Sequence, residues 1–313
     1  MEPDNGKYSE FHPLSGILTH VLKYGQLKAP VSGQSRLLFL IIPGNPGIIE
    51  YYDRYMQVLY QSSEGTIPVW GISHAGHVSV PVRDITVEKA AYKACTLEGQ
   101  IKHKVEFIKE HIPDDVKLIL IGHSIGCYII MRIMDHIDSH QVLRCFHLFP
   151  TIERMAESPK GQVATPLLKY LRWLGTLIVQ MASYLSPHVQ YRMLLWYFKG
   201  RNVPDCIYNA SMTLFDPFCV SNVMYMANLE MQQVSSLDED LLQKHLSKFS
   251  FYYGEDDHWC PKSYYFDIKK KFPHADIRLC NKGHDHAFVL ESSDEMADIT
   301  WKWIQPDIHK LTN

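Results

Sequence analysis

The sequence has no apolar run long enough to cross a membrane, because none of its uncharged stretches reaches the roughly 18 to 20 residues that a spanning helix needs. Its first residues, MEPDNGK, lack a basic region followed by an apolar run, so we expect no signal peptide. It also lacks an excess of basic residues, since 31 Lys and Arg stand against 34 Asp and Glu. This balance argues against a nucleic-acid partner.

The seven cysteines are an odd number and are scattered, with no Cys-x-x-Cys pair. A disulfide framework is therefore not expected, and reduced thiols are the simpler interpretation. What is present is ordinary for a globular protein, with 46% hydrophobic and 21% charged residues. A chain of 313 residues suits one large α/β domain with an insertion, or two small domains, and can bury a sizeable core.

The segment 117–131 (KLILIGHSIGCYIIM) carries the strongest chemical signal of the chain. Four apolar residues at 118–121 indicate a short buried strand, and apolar residues recur at helical spacing after 127. Between them lies GHSIG, which matches the G-x-S-x-G turn that projects a serine above a sheet. The glycines leave room for the neighbouring strand and helix. We predict that Ser124 is a nucleophile and that the backbone N–H of Ile125, at the start of the helix, helps to bind an oxyanion.

Strand and helix patterns alternate along residues 36–150, which is typical of a parallel sheet with helices on both faces. Strands are predicted at 16–24, 36–42, 67–73, 141–150, 248–253 and 276–280, after a loose lead-in over residues 1 to about 14. Helices are predicted at 50–60, 97–111, 262–272 and 295–304. Residues 1–150 and 247–313 are then two parts of one core, and 151–246 is a helical insertion that forms a cap or contacts lipid.

The loop after the strand at 36–42 reads PGNPG, and its two prolines and two glycines can neither extend a strand nor start an ordinary helix. In a serine hydrolase the loop at this place supplies the second N–H of the oxyanion hole. Asn45 is our candidate, through its backbone. A further loop contains His74 and His77, but no third ligand lies nearby, so we predict no metal site there.

An α/β-hydrolase places its triad in the chain order serine, acid, histidine, on loops after strands. The loop after 248–253 offers Asp256 and Asp257, and the loop after 276–280 offers His284 and His286. We prefer Asp257 because it lies deeper in its loop. We prefer His286 because it opens an apolar His-Ala-Phe turn, whereas His284 follows Lys-Gly and is expected to be more exposed.

The insertion 151–246 contains a wide-faced amphipathic pattern over 167–185, followed by the aromatic and aliphatic run YRMLLWYFK at 191–199. One interpretation is a cap whose apolar face covers the site and packs internally. The other is a face that lies on a lipid surface, with Lys and Arg at the level of the headgroups. The candidate lipid-contact residues are Leu171, Trp173, Leu174, Ile178, Leu195, Trp196 and Phe198.

Five segments with their spacing resemble the lipid droplet-associated hydrolase family. They are IIPGNPG at 41–47, ISHAGH at 72–77, IGHSIG at 121–126, FPTIER at 149–154 and YGEDD at 253–257. The resemblance implies an α/β-hydrolase fold with Ser124, Asp257 and His286 at the triad positions. The serine mechanism that we expect requires no metal or organic cofactor. The resemblance also implies residence on lipid droplets and on the cytosolic face of the endoplasmic reticulum, with weak hydrolysis of lipid esters and sterol esters as the suggested substrates. The sequence departs from the family at His258, where relatives have proline, and this departure is expected to loosen the loop that orients Asp257.

Three functions remain open at this point. The first is a serine hydrolase of a bulky apolar ester such as a cholesteryl ester. The second is a lipid-droplet surface protein that promotes lipid storage or remodels droplets with weak or no hydrolase activity, which the region 167–199 motivates. The third is a soluble carboxylesterase or thioesterase whose apolar cap only covers its pocket.

Overall fold

A computed structural model describes residues 6–29, 35–79 and 93–312. Its strands form one sheet in the order β1-β2-β4-β3-β5-β6-β7-β8, in which β1 and β2 run antiparallel to their neighbours and all other pairs are parallel. The strands are β1 Lys7–Leu14, β2 Ile17–Tyr24, β3 Arg36–Ile42, β4 Val69–Ile72, β5 Val116–His123, β6 Val142–Leu148, β7 Phe249–Tyr253 and β8 Asp276–Leu279.

The α-helices of the described residues lie between and after these strands. They are α1 Asp53–Ser62, α2 Leu97–His111, α3 Ile125–Ile133, α4 Pro159–Tyr170, α5 Arg172–Ser183, α6 Pro187–Tyr197, α7 Asp205–Met212, α8 Pro217–Gln233, α9 Glu239–His245, α10 Lys262–Lys271 and α11 Ser293–Thr312. Helix α1 packs against α11, and α2 packs against α3. The central strands β3 and β5 are almost entirely buried, as expected for parallel strands with helices on both faces.

Strand β1 contradicts the expectation that the chain begins with a loose lead-in. It pairs along its whole length with β2 in a hairpin at the edge of the sheet. Most of its side chains are exposed or half-buried, and it contains Pro13. Its sequence therefore lacks the continuous apolar run that marks a central strand. Proline is tolerated in an edge strand because one side of that strand has no ladder to complete.

The helix expected over 167–185 is two helices. The backbone of Leu171 leaves the helical region, with φ −116° and ψ 7°, and its N–H bonds to the carbonyl of Leu167 at the end of α4. Helix α5 begins at the next residue. Within the described residues, no helix combines the length and the apolar character that a membrane span requires.

Candidate active site

Ser124 lies on a sharp turn between β5 and α3. Its φ of 53° and ψ of −123° are a conformation that non-glycine residues rarely adopt, and such strain is often stored at functional sites. The turn is possible because its neighbours have no side chain. A Cβ on Gly126 would lie 2.2 Å from the carbonyl oxygen of Ile42, and one on Gly122 would lie 2.8 Å from the backbone nitrogen of Cys127.

Three side chains from three different loops meet above this turn. The Ser124 Oγ lies 3.0 Å from Nε2 of His286, and Nδ1 of His286 lies 2.6 Å from Oδ2 of Asp257. They follow β5, β8 and β7 respectively, whose carboxyl ends share one edge of the sheet. All three are buried, with exposed fractions of 9%, 8% and 5%. The hydrogen-bond pattern places the proton of the imidazole on Nδ1 and leaves Nε2 free to accept the serine proton.

The structure does not bring the alternative acid and histidine to this place. Asp256 is exposed, whereas its neighbour Asp257 is buried. The expectation that His284 is more exposed than His286 is wrong, because both side chains are buried, and Nε2 of His284 lies 2.7 Å from a carboxylate oxygen of Glu295 on α11.

The carboxylate of Asp257 is held by its own loop. Its Oδ1 accepts from the backbone N–H groups of Trp259 and Cys260 at 2.7 and 3.2 Å. Its Oδ2 accepts from the thiol of Cys260 at 3.0 Å and from His286. Burial by itself would raise the pKa of Asp257, but the imidazole of His286 and these donors lower it to about 2. The side chain of His258 is exposed, and the loosening of the loop by this residue stays a prediction. The role of Cys260 could not be predicted from the sequence, because a lone cysteine gives no sign that its thiol donates a hydrogen bond to a nearby carboxylate.

A second buried network holds the turn and the histidine loop together. The N–H of Gly44 donates to the hydroxyl of Tyr52 at 2.8 Å, and this hydroxyl lies 2.5 Å from Nδ1 of His123. The Nε2 of His123 lies 2.8 Å from the backbone carbonyl of His286. Burial lowers the pKa of His123 to about 3, so it is neutral and donates to that carbonyl. In the sequence, the only sign of this role of Tyr52 is the cluster of aromatic residues at the start of the predicted helix at 50–60.

The PGNPG loop at 43–47 reaches the serine directly, because a Cβ on Gly44 would lie 2.8 Å from the Cβ of Ser124. Two of its backbone N–H groups are already used, since Gly44 donates to Tyr52 and Gly47 donates to the carbonyl of Gly44. Prolines have no N–H. For the remaining N–H, that of Asn45, the described residues provide no acceptor. The N–H of Ile125, the first residue of α3, likewise has no backbone acceptor there.

A mostly apolar cavity of about 430 Å³ adjoins this loop. Its size is within the usual range for small-molecule sites. Gly44, Asn45 and His123 form its wall on the side of the serine. Apolar side chains line the rest, among them Ile48, Leu194, Phe198, Leu214, Phe215 and Val289. The polar groups in this lining include the hydroxyls of Tyr51 and Ser211, which lie 2.9 Å apart.

Six of the seven candidate lipid-contact residues are exposed, namely Leu171, Trp173, Leu174, Ile178, Leu195 and Trp196. The assignment of Phe198 is wrong, because its side chain is only 5% exposed and lines the cavity. Helix α5 is oriented against the usual rule. Its polar residues Thr176, Gln180 and Ser183 are half-buried, while its apolar face points outward.

Only one group of side chains in the described part of the chain has enough ligand atoms close together to hold a metal ion, and it consists of Asp257, Cys260 and His286. Cys260 and His286 each already form a hydrogen bond with Asp257, as described above, which accounts for the closeness of the three side chains. His74 and His77 belong to no such group within the described residues.

The sheet order, the strained serine turn and the loops after β7 and β8 define an α/β-hydrolase fold. Solved structures support this class. A haloalkane dehalogenase variant from Bradyrhizobium elkanii matches with a TM-score of 0.64 and 13% identity, covering 96% of this chain and 97% of that one. A laboratory-evolved variant of potato epoxide hydrolase matches with a TM-score of 0.63 and 13% identity, covering 96% and 99%. At such low identity the likeness shows the fold alone.

Sequence comparison identifies the family within this class. The family model described as lipid-droplet associated hydrolase matches residues 35–289. The lipid droplet-associated hydrolases of Gallus gallus and Homo sapiens are 42% and 40% identical to this chain, each over 97% of both sequences. The chain belongs to the lipid droplet-associated hydrolase family.

Proposed function

We propose that this protein is a serine hydrolase of lipid esters that acts at the surface of lipid droplets. The observation that carries the proposal is the hydrogen-bonded chain from Ser124 through His286 to Asp257 at the strained turn. A serine on such a turn, a histidine within reach of its hydroxyl and a buried carboxylate behind the histidine are the parts that acyl transfer needs.

In the proposed mechanism, Ser124 attacks the ester carbonyl while Nε2 of His286 takes the serine proton and then delivers it to the leaving alcohol. Asp257 stays ionised at neutral pH, since its pKa is lowered to about 2, and it stabilises the charged imidazolium. The backbone N–H groups of Asn45 and Ile125 bind the oxyanion. Their lack of an intramolecular acceptor in the described residues supports this assignment, because an oxyanion hole must keep its donors free. A water molecule then attacks the acyl-enzyme with the same histidine as base.

The apolar lining of the cavity favours an ester with a large hydrocarbon group. Sterol esters are the first substrates to compare with triglycerides and short-chain esters. The names of the relatives support a location on lipid droplets. We extend the proposal to the cytosolic face of the endoplasmic reticulum, whose phospholipid surface presents the same chemistry.

The outer face of α4, α5 and α6 is the proposed contact with lipid, and we call it the lipid-facing surface. It exposes many large apolar side chains, including Leu167, Tyr170, Trp173, Ile178 and Trp196. The sequence contains no acidic residue between Glu157 and Asp205. It has six basic residues there, Lys160, Lys169, Arg172, Arg192, Lys199 and Arg201. Apolar side chains bordered by cations suit an interface with anionic headgroups.

Labelling with a fluorophosphonate, read by intact mass, tests the nucleophile. We expect a single adduct on the wild-type protein and none on Ser124→Ala, because such probes react only with an activated serine. Absence of labelling on the wild-type protein, or equal labelling of Ser124→Ala, would refute the proposed chemistry.

The extent of the exposed apolar surface favours one further candidate, a droplet-surface protein whose hydrolase activity is weak or absent. In that case Ser124→Ala would retain the droplet phenotype, and substitutions on the lipid-facing surface would abolish it. A protein that does not bind vesicles or droplets at all would instead be a soluble esterase or thioesterase.

A further inference from the structure

A carboxyl group outside the Ser124–His286–Asp257 chain is buried against the PGNPG loop at 43–47, which we call the oxyanion loop. Glu230 lies on α8 and is 3% exposed. Its Oε1 accepts from Nδ2 of Asn45 at 2.9 Å, and the same amide nitrogen donates to the backbone carbonyl of Val223 at 3.0 Å. Both protons of the Asn45 amide nitrogen are therefore used by a single helix of the insertion.

We propose that Glu230 is a positioning residue that fixes the oxyanion loop to the cap helix α8 through the side chain of Asn45. The inference rests on the proposed function, in which the backbone N–H of Asn45 binds the oxyanion. Gly44 lies so close to Ser124 that a side chain on it would not fit, so a small rotation of the next residue would turn this N–H away from the reacting carbonyl. Two hydrogen bonds on the side chain prevent that rotation, and catalysis is sensitive to displacements of this size.

The protonation state of Glu230 should also make the activity depend on pH. Burial raises its pKa to about 8, although the hydrogen bond from Asn45 lowers it. Within the described residues, no acidic or basic side chain contributes to this shift. Glu230 is therefore mostly neutral at pH 7 and becomes anionic as the pH rises above 8. A negative charge one side chain away from the oxyanion opposes the charge that develops there.

Two variants separate positioning from simple stability. Glu230→Gln keeps an acceptor oxygen at the same distance and cannot ionise, whereas Glu230→Ala removes the acceptor. With a soluble p-nitrophenyl ester at pH 7, we expect Glu230→Ala to lose roughly 10- to 100-fold in kcat with little change in KM. This loss is smaller than the roughly 100- to 1000-fold loss on removing an oxyanion donor, because the N–H of Asn45 is displaced but still present. We expect the kcat of Glu230→Gln to stay within about threefold of that of the wild-type protein.

Between pH 7 and 9 the wild-type kcat should fall on the order of tenfold, and that of Glu230→Gln should not.

A matched control lies on the same helix. Asn222 is also buried, and its amide donates to the carbonyl of Gly76 at 3.0 Å, in a different loop. Asn222→Ala should lower the melting temperature without the loss in kcat that Glu230→Ala shows. Equal losses in both variants would mean that the cap has merely loosened, and would overturn the role of Glu230.

Hydrogen exchange decides the inference independently of activity. Peptides that cover residues 43–47 should exchange faster in Glu230→Ala than in the wild-type protein, and Glu230→Gln should resemble the wild-type protein. Unchanged exchange in Glu230→Ala would overturn the proposal even if the protein is an active hydrolase. Conversely, failure of fluorophosphonate labelling would refute the hydrolase and leave the exchange result to decide whether Glu230 holds the loop.

Discussion

Ile178 is the residue at which the lipid-facing surface can be tested most sharply. It lies on the outer face of α5 and is 61% exposed. Burying a whole isoleucine side chain is worth about 1.5 to 3 kcal/mol, so docking the exposed part of Ile178 onto lipid contributes about 1 to 2 kcal/mol. Replacing it with aspartate removes that contribution and adds repulsion from anionic headgroups of about 1 kcal/mol. We therefore expect Ile178→Asp to weaken lipid binding by about 30- to 150-fold.

Flotation with triolein droplets coated with phosphatidylcholine and phosphatidylserine measures this change. Phe266→Asp is the matched control, because Phe266 is 56% exposed but lies on α10, outside the lipid-facing surface. Both positions are exposed, so neither variant should lower the melting temperature by more than a few degrees. Ile178→Asp binding as tightly as the wild-type protein, or Phe266→Asp losing as much, would refute the assignment of this surface.

Three further predictions concern the buried groups of the site. Cys260→Ala should lower kcat about tenfold, because Asp257 loses a donor, and Cys260→Ser should restore most of it; equal kcat values in both variants would contradict this role. The folded pKa of Asp257 is lowered to about 2, so its contribution to stability is complete above about pH 4 and is lost as the pH falls towards 2. Urea unfolding of the wild-type protein should therefore show a steeper loss between pH 4 and 2 than that of Asp257→Asn, and parallel curves would contradict the shift. Tyr52→Phe should cost about 1 to 3 kcal/mol in the free energy of unfolding, since the N–H of Gly44 and Nδ1 of His123 lose a buried partner; a melting temperature equal to that of the wild-type protein would count against this network.

Local sequence patterns predicted those parts of the fold that depend only on residues close together in the chain. The strand at 36–42 and the helix at 97–111 coincide with β3 and α2, because a continuous apolar run and a helical repeat leave few alternatives. The GHSIG turn could be placed for the same reason, since its strand, glycines and helix are contiguous. The chain order of the acid and the histidine also sufficed to select the two loops that meet Ser124.

Contacts between segments far apart in the chain could not be predicted from local sequence patterns. Glu230 and Asn45 are 185 positions apart, and nothing near either residue indicates the other. The edge strand β1 forms because β2 offers it a partner, although its own residues alternate poorly. Phe198 shows a related limit: the run at 191–199 is apolar on every side, and only packing decides which side chains face the cavity and which face outward.

The position of α6 links the cavity to the lipid-facing surface. Its residues Leu194 and Tyr197 line the cavity, while Leu195 and Trp196 are exposed on the outside. One helix therefore contributes side chains to both, and in the proposed function an ester passes this helix on its way from the lipid layer to the oxyanion loop. The two sides should respond separately to substitution. Leu194→Trp, which fills the cavity, should reduce hydrolysis of long-chain esters and leave droplet flotation unchanged, whereas Ile178→Asp should reduce flotation and leave hydrolysis of a soluble short-chain ester unchanged. Loss of both properties in either variant would show that binding and hydrolysis use a single surface.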